Sequence, residues 1–181
     1  MWREIAAIGR QMVALGITHS TMGNISARVG DMMLITRKGA DLGKIREDSV
    51  LHIPINGTEK HECASVEAPV HRRIYQLTDA KAVVHAHPAH AVALSISMRG
   101  QIKPLDIEGA LYLGEVPVTA GEPGSETLAE NVALALKARP AVIVRGHGAF
   151  TKGSDLASAF NLQVLLEHSC RVRWLTATLR R

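Results

Sequence analysis

Short β-branched runs interleave with amphipathic helical segments along this chain, at intervals too irregular for a repeated strand–helix–strand unit. Ile5, Ile8, Met12 and Leu15 recur at helical spacing before Gly16, which predicts a helix over residues 3–15. Residues 25–29 and 32–36 read as two strands joined by Gly30-Asp31, a hairpin turn. A loop with two glycines spans 37–43, and 50–55 reads as a third strand. Ser65 is placed to cap a helix running to about Leu77, with Pro69 tolerated in its first turn. Residues 82–87 form a strand stopped by Pro88, followed by a helix over 89–98 and a short strand at 116–119. Ser125 caps a helix to about Lys137, and 141–145 is a strand. Gly146-His147-Gly148 turns the chain, and a closing helix covers 155–179. The expected architecture is one three-layer α/β domain over residues 1–181, with a central, mainly antiparallel sheet flanked by helices.

Composition removes several function classes. With 46% hydrophobic and 21% charged residues the chain is not a disordered one. No apolar run approaches the ~18 residues of a membrane span, so no membrane partner is expected. The start Met1-Trp2-Arg3-Glu4 lacks a secretory h-region, and Cys63 and Cys170 lie far apart, so a reducing cytoplasm is the expected compartment. The net charge is +4, but the cations are scattered and aromatics make up 3%, which leaves no platform for stacking bases. Nucleic acid is therefore not an expected partner, whereas a small anion fits the charge.

Nine histidines stand out. On a strand, His85 and His87 project from one face, within reach of one cation. Taken alone, the pair fits a solvated strand face equally well. His147 sits between two glycines just after an apolar strand, and it fits either a third ligand or an incidental turn residue. Glu67 falls in the first turn of the helix after Ser65, where the dipole favours a carboxylate. His71, one turn later, reads as the solvated partner of an i,i+4 pair. Three histidines with an open position suit a catalytic zinc site. Gly23-Asn24 and Thr36-Arg37-Lys38-Gly39 meet at one end of the proposed hairpin, where an anion pocket and two plain turns are both open readings.

Taken in order, Gly23-Asn24-x-Ser26, the Thr36 loop, Ser65-x-Glu67-x-x-x-His71-x-x-Ile74-Tyr75, His85-x-His87 and Gly146-His147-Gly148 resemble the class II aldolase/adducin family, above all its L-fuculose-phosphate aldolase branch. The resemblance runs from about Glu4 to Leu179. It implies a zinc-dependent aldolase that cleaves a ketose 1-phosphate to dihydroxyacetone phosphate and a small aldehyde, through a metal-stabilised enediolate. It implies His85, His87 and His147 as zinc ligands and Glu67 as the acid/base. Gly23, Asn24, Lys38, Gly39 and Ser65 fall where the family holds the substrate phosphate, and the family's usual assembly is a homotetramer. Two positions depart from the family: Val66 replaces a second serine, and Lys38 replaces a hydroxyl residue. A family tyrosine falls near Asp106. The same metal site serves pentulose-phosphate 4-epimerases, methylthioribulose-phosphate dehydratases and sugar-acid-phosphate decarboxylases, so these are the alternative reactions. Adducin-like scaffolds lack the metal histidines, which are present here.

Overall fold

The computed structural model describes residues 1–57 and 61–179. Its elements are α1 (Trp2–Ala14), β1 (Asn24–Val29), β2 (Met32–Thr36), β3 (Val50–Pro54), α2 (Ala68–Leu77), β4 (Ala82–Ala86), α3 (Ala89–Ser97), α4 (Ile107–Tyr112), β5 (Val118–Thr119), α5 (Glu126–Ala138), β6 (Ala141–Val144), β7 (Gly148–Gly153) and α6 (Leu156–Leu179), with short 3₁₀ turns at Leu42–Lys44 and Glu47–Ser49. The strands form one sheet in the order β3-β2-β1-β4-β7-β6-β5. Every neighbouring pair is antiparallel except β5 and β6.

Alternation along the strands splits the core into two faces. Met33, Ile35, Ile53, Val83, Val142, Val144 and Phe150 pack against Val70 and Ile74 of α2 and Leu128, Val132 and Leu136 of α5. Ile25, Ala27, Leu34, Ala82 and Val84 face the other way, onto Ile5, Ile8 and Met12 of α1 and Phe160 of α6. Ile143 and Ala149 continue that second face beneath Ala91 and Leu94 of α3 and Leu166 of α6. The three layers expected from sequence are therefore present. β4 lies at the centre, and all five of its residues are buried. Burying each of its valines removes a side chain from water, a stabilisation of roughly 1.5–3 kcal/mol apiece.

Three local expectations need correction. First, α2 begins at Ala68 with Glu67 in the cap position, rather than being capped by Ser65. The Ser65 hydroxyl still accepts the Glu67 N–H, at 3.3 Å. Second, residues 148–153 form β7 rather than a turn running into the last helix. This strand is short and bounded by glycines, and it exists because it has a partner on each side, pairing Thr151 with Val84 and Phe150 with Val142. Third, α4 lies in the stretch between the helix at 89–98 and the strand at 116–119, for which the sequence predicts no element, and it contains Gly109. It is held at its start by Asp106, whose Oδ2 accepts the Gly109 N–H at 2.8 Å and the Ser169 hydroxyl at 3.0 Å. No helix among the described residues is long and apolar enough to cross a membrane.

Candidate active site

His85 is the fourth residue of β4 and shares the α2–α5 face with Val83, two residues before it. His87 follows the strand's last residue, and Pro88 prevents further pairing. β6 ends at Val144, the His147 N–H closes the turn onto the Val144 carbonyl at 3.0 Å, and β7 returns beside β4. Gly148 permits this return: a Cβ there would lie 2.9 Å from His85 Cε1 and 3.1 Å from His87 Cδ2. The three rings converge, with centroids 4.8 Å apart for His85–His87 and His87–His147 and 5.0 Å for His85–His147. One nitrogen from each lies within 4.8 Å of the others.

The hydrogen bonding favours a cation. His85 Nδ1 donates to the Ala149 carbonyl at 3.0 Å, which leaves Nε2 bare and facing His87 Nε2 at 3.1 Å. That separation is close to the roughly 3.3 Å between two ligand atoms held 2.0–2.1 Å from a tetrahedral zinc. Burial, then the neighbouring imidazoles His87, His147 and His71, hold the His85 pKa well below its ordinary value. Burial, then His147, lowers His87 to about 4, and burial also lowers His147. All three are therefore neutral at pH 7, as metal ligation requires. His147 Nδ1 is buried with no hydrogen-bond partner. These residues fit a divalent metal ion. Phe150 stacks on His85 with centroids 4.1 Å apart and fixes the ring from below.

Glu67 is 4% exposed, and its Oε1 lies 4.0 Å from His147 Nε2. Neither carboxylate oxygen makes a well-formed hydrogen bond. Burial raises its pKa to about 7; the nearby Gly124 amide pulls the other way from outside good hydrogen-bond geometry. The Glu67 carbonyl accepts the His71 N–H at 3.1 Å. His71 is not the solvated residue expected from sequence but is fully buried. Its Nδ1 lies 2.6 Å from Ser26 Oγ, which lies 2.7 Å from the Tyr75 hydroxyl. This network ties α2, whose cap residue is Glu67, to β1, because the buried face of α2 meets the sheet at Ser26.

The remaining candidates divide. Asn24 opens β1 opposite His85; it is 4% exposed, and its Oδ1 has no partner. Gly23 must be glycine, since at φ +115° a Cβ would lie 2.5 Å from the His85 carbonyl oxygen. Lys38 and Ser65 are brought together across the sheet edge, where the Lys38 N–H bonds the Cys63 carbonyl at 3.0 Å and the Ser65 N–H bonds the Thr36 carbonyl at 3.3 Å. Both line a cleft of about 880 Å³ that also contains Arg72 and Ser125. Gly39 adopts φ +72° in the exposed loop beside Lys38. The three histidines, Glu67, Asn24 and Gly39 do not line that cleft. Arg145 and Glu167 contact α3 through partners 50 and 77 positions away, so sequence alone assigns neither of them a role there.

Residues 3–174 match the family described as Class II Aldolase and Adducin N-terminal domain. The chain belongs to this family. It is 35% identical over 160 residues to an L-fuculose phosphate aldolase of Escherichia coli O6:H1, spanning 87% of this chain and 74% of that protein. A methylthioribulose-1-phosphate dehydratase of Acidiphilium cryptum is 30% identical over 192 residues, spanning 94% of this chain and 90% of that one. The crystal structure of an L-fuculose-1-phosphate aldolase from Thermus thermophilus superposes with a TM-score of 0.94 at 37% identity, covering 99% of this chain and 95% of the other. Family membership and these relatives make the chain an enzyme of the aldehyde-lyase type, and its three-histidine group is able to hold a metal ion.

Proposed function

We propose that this enzyme cleaves a ketose 1-phosphate of the L-fuculose 1-phosphate kind into dihydroxyacetone phosphate and a small aldehyde such as lactaldehyde. The observation behind metal-assisted proton transfer is the juxtaposition of three histidines with one buried carboxyl group, 4.0 Å from His147, and the similarity to L-fuculose phosphate aldolases favours this substrate. His85, His87 and His147 would hold zinc, whose chemistry is to supply positive charge that stabilises negative charge on a substrate oxygen. Glu67 moves the proton at the carbon next to the carbonyl: it delivers it after C–C cleavage and removes it in the synthetic direction. Burial favours the protonated carboxyl, whereas a divalent cation on the histidines would favour the carboxylate, so both forms are within reach and Glu67 can do either. Lys38 and Ser65 bind the phosphate by charge and hydroxyl contact, Gly39 leaves the backbone open to it, Gly23 lets the phosphate loop pass close against His85, and Asn24 offers its side-chain amide from β1.

The same reading includes a homotetramer. Leu105, Ile107, Leu111 and Tyr112 around α4 and Trp174 and Leu175 on α6 are exposed apolar side chains, as subunit contacts of a homotetramer require. Cys63 and Cys170 are unpaired, which suits a reducing cytoplasm.

The test is incubation of the metal-loaded enzyme with a panel of ketose 1-phosphates and ketose 5-phosphates, with products identified by mass. Dihydroxyacetone phosphate plus an aldehyde supports the reading. Loss of water, an epimer or carbon dioxide as the sole product replaces it with one of the family's other reactions. Protein that purifies without metal and takes up none is a scaffold.

A further inference from the structure

α3 connects the two halves of the histidine cluster. Its first residue follows His87-Pro88 directly, and its far end meets the turn that carries His147. A helix start leaves backbone N–H groups without partners, which the cap side chain ordinarily satisfies. Here the cap residue is Pro88, which has no side-chain acceptor. Glu167, from the middle of α6, takes over that role. It accepts the His90 N–H at 3.1 and 3.2 Å and the Ala91 N–H at 3.2 Å, and its Oε1 lies 2.7 Å from His90 Nδ1. A carboxylate there also complements the helix dipole. It is largely shielded from solvent, its side chain 13% exposed.

The other end is held with the opposite charge. Arg145 donates to the carbonyls of Ser95 and, at 3.1 Å, Met98, which are among the last acceptors of the helix. The buried Ser95 hydroxyl accepts the Gly146 N–H at 3.0 Å. The residue next to His147 is therefore bonded to one end of α3, while His87 is joined to the other end through Pro88.

We propose that Glu167 and Arg145 are positioning residues for the three-histidine site: by clamping the two ends of α3 they set the separation of His87 from His147. Neither is a ligand. Loss of either clamp frees one end of the helix, so the rings no longer converge without first being reordered. The expected effect is the ten- to hundredfold loss of metal affinity typical of removing groups that orient ligands.

The inference rests on the assignment of the histidines as metal ligands and is tested without substrate. Zinc dissociation constants are measured by competition with a chromogenic chelator for the parent, Glu167→Ala, Arg145→Ala and Asp79→Asn. Asp79 pairs with Lys152 at 3.2 Å just before the opposite end of β4 and serves as the control. Tenfold to hundredfold weaker zinc binding by both alanine variants, with Asp79→Asn unchanged, supports the clamp. Glu167→Gln and Arg145→Lys each keep part of the hydrogen bonding and should fall between the alanine variants and the parent. Dissociation constants within twofold of the parent in the folded alanine variants overturn the proposal, even if their melting temperatures fall. If the alanine variants do not fold, the Gln and Lys variants decide: zinc binding weakened more than twofold supports the clamp, and a value within twofold of the parent overturns it. A parent that binds no zinc overturns the metal assignment itself, a failure visible before any variant is compared.

Discussion

His71 gives the sharpest quantitative prediction, because its cost depends on burial alone. The ring is fully buried, and burial lowers its pKa from the ordinary 6.5 to about 3. Between these values the unfolded chain takes up a proton that the folded chain refuses. The stability contributed by the neutral ring is therefore complete above pH 6.5 and is lost as pH falls from there toward 3. From pH 6.5 to 4.5 the loss is roughly 2–3 kcal/mol, at about 1.4 kcal/mol per pH unit. His71→Asn keeps a polar atom near Ser26 Oγ but cannot titrate. At pH 7.5 the variant should be less stable by roughly 1–3 kcal/mol, because a smaller side chain leaves a cavity against Phe150, whose ring centroid lies 5.8 Å from that of His71. At pH 4.5 that gap should close or reverse. Urea unfolding followed by circular dichroism, with chelator present at each pH so that bound metal adds nothing, measures it. Stability curves that stay parallel, with the gap constant to within about 0.5 kcal/mol from pH 7.5 to 4.5, would refute the argument.

Other substitutions separate the proposed roles. Glu67→Gln should lower kcat by roughly 10²–10⁴ with zinc content unchanged, and should slow proton exchange at C3 of dihydroxyacetone phosphate measured without aldehyde. Lys38→Ala should raise KM for the phosphorylated substrate more than it lowers kcat; an unchanged KM in steady-state assays removes Lys38 from the site. Gly148→Ala should weaken zinc binding at least tenfold by chelator competition, since the new Cβ would run into the Ala86 carbonyl oxygen and lie 2.9 Å from His85 Cε1, so the end of β4 and the His85 ring would both have to shift.

Local geometry made part of the molecule legible from residues alone. The two-residue period of a strand puts His85 and His87 on one face, and Pro88 ends the strand there whatever surrounds it. Gly30-Asp31 joins two strands whose pairing, Val29 with Met32, follows from the turn length. The order of five motifs carried the family and, with it, the identities of Glu67, His147 and the phosphate candidates. What the sequence could not decide depends on contacts between distant segments. β7 is a strand because β4 and β6 leave a place between them. His71 is buried because the face of α2 that carries it meets Ser26, 45 positions earlier. The Glu167 and Arg145 contacts to α3 join residues 77 and 50 positions apart. Strand alternation and turn chemistry act over a few residues and can be read along the chain, whereas burial and capping by a remote side chain exist only once the layers have packed.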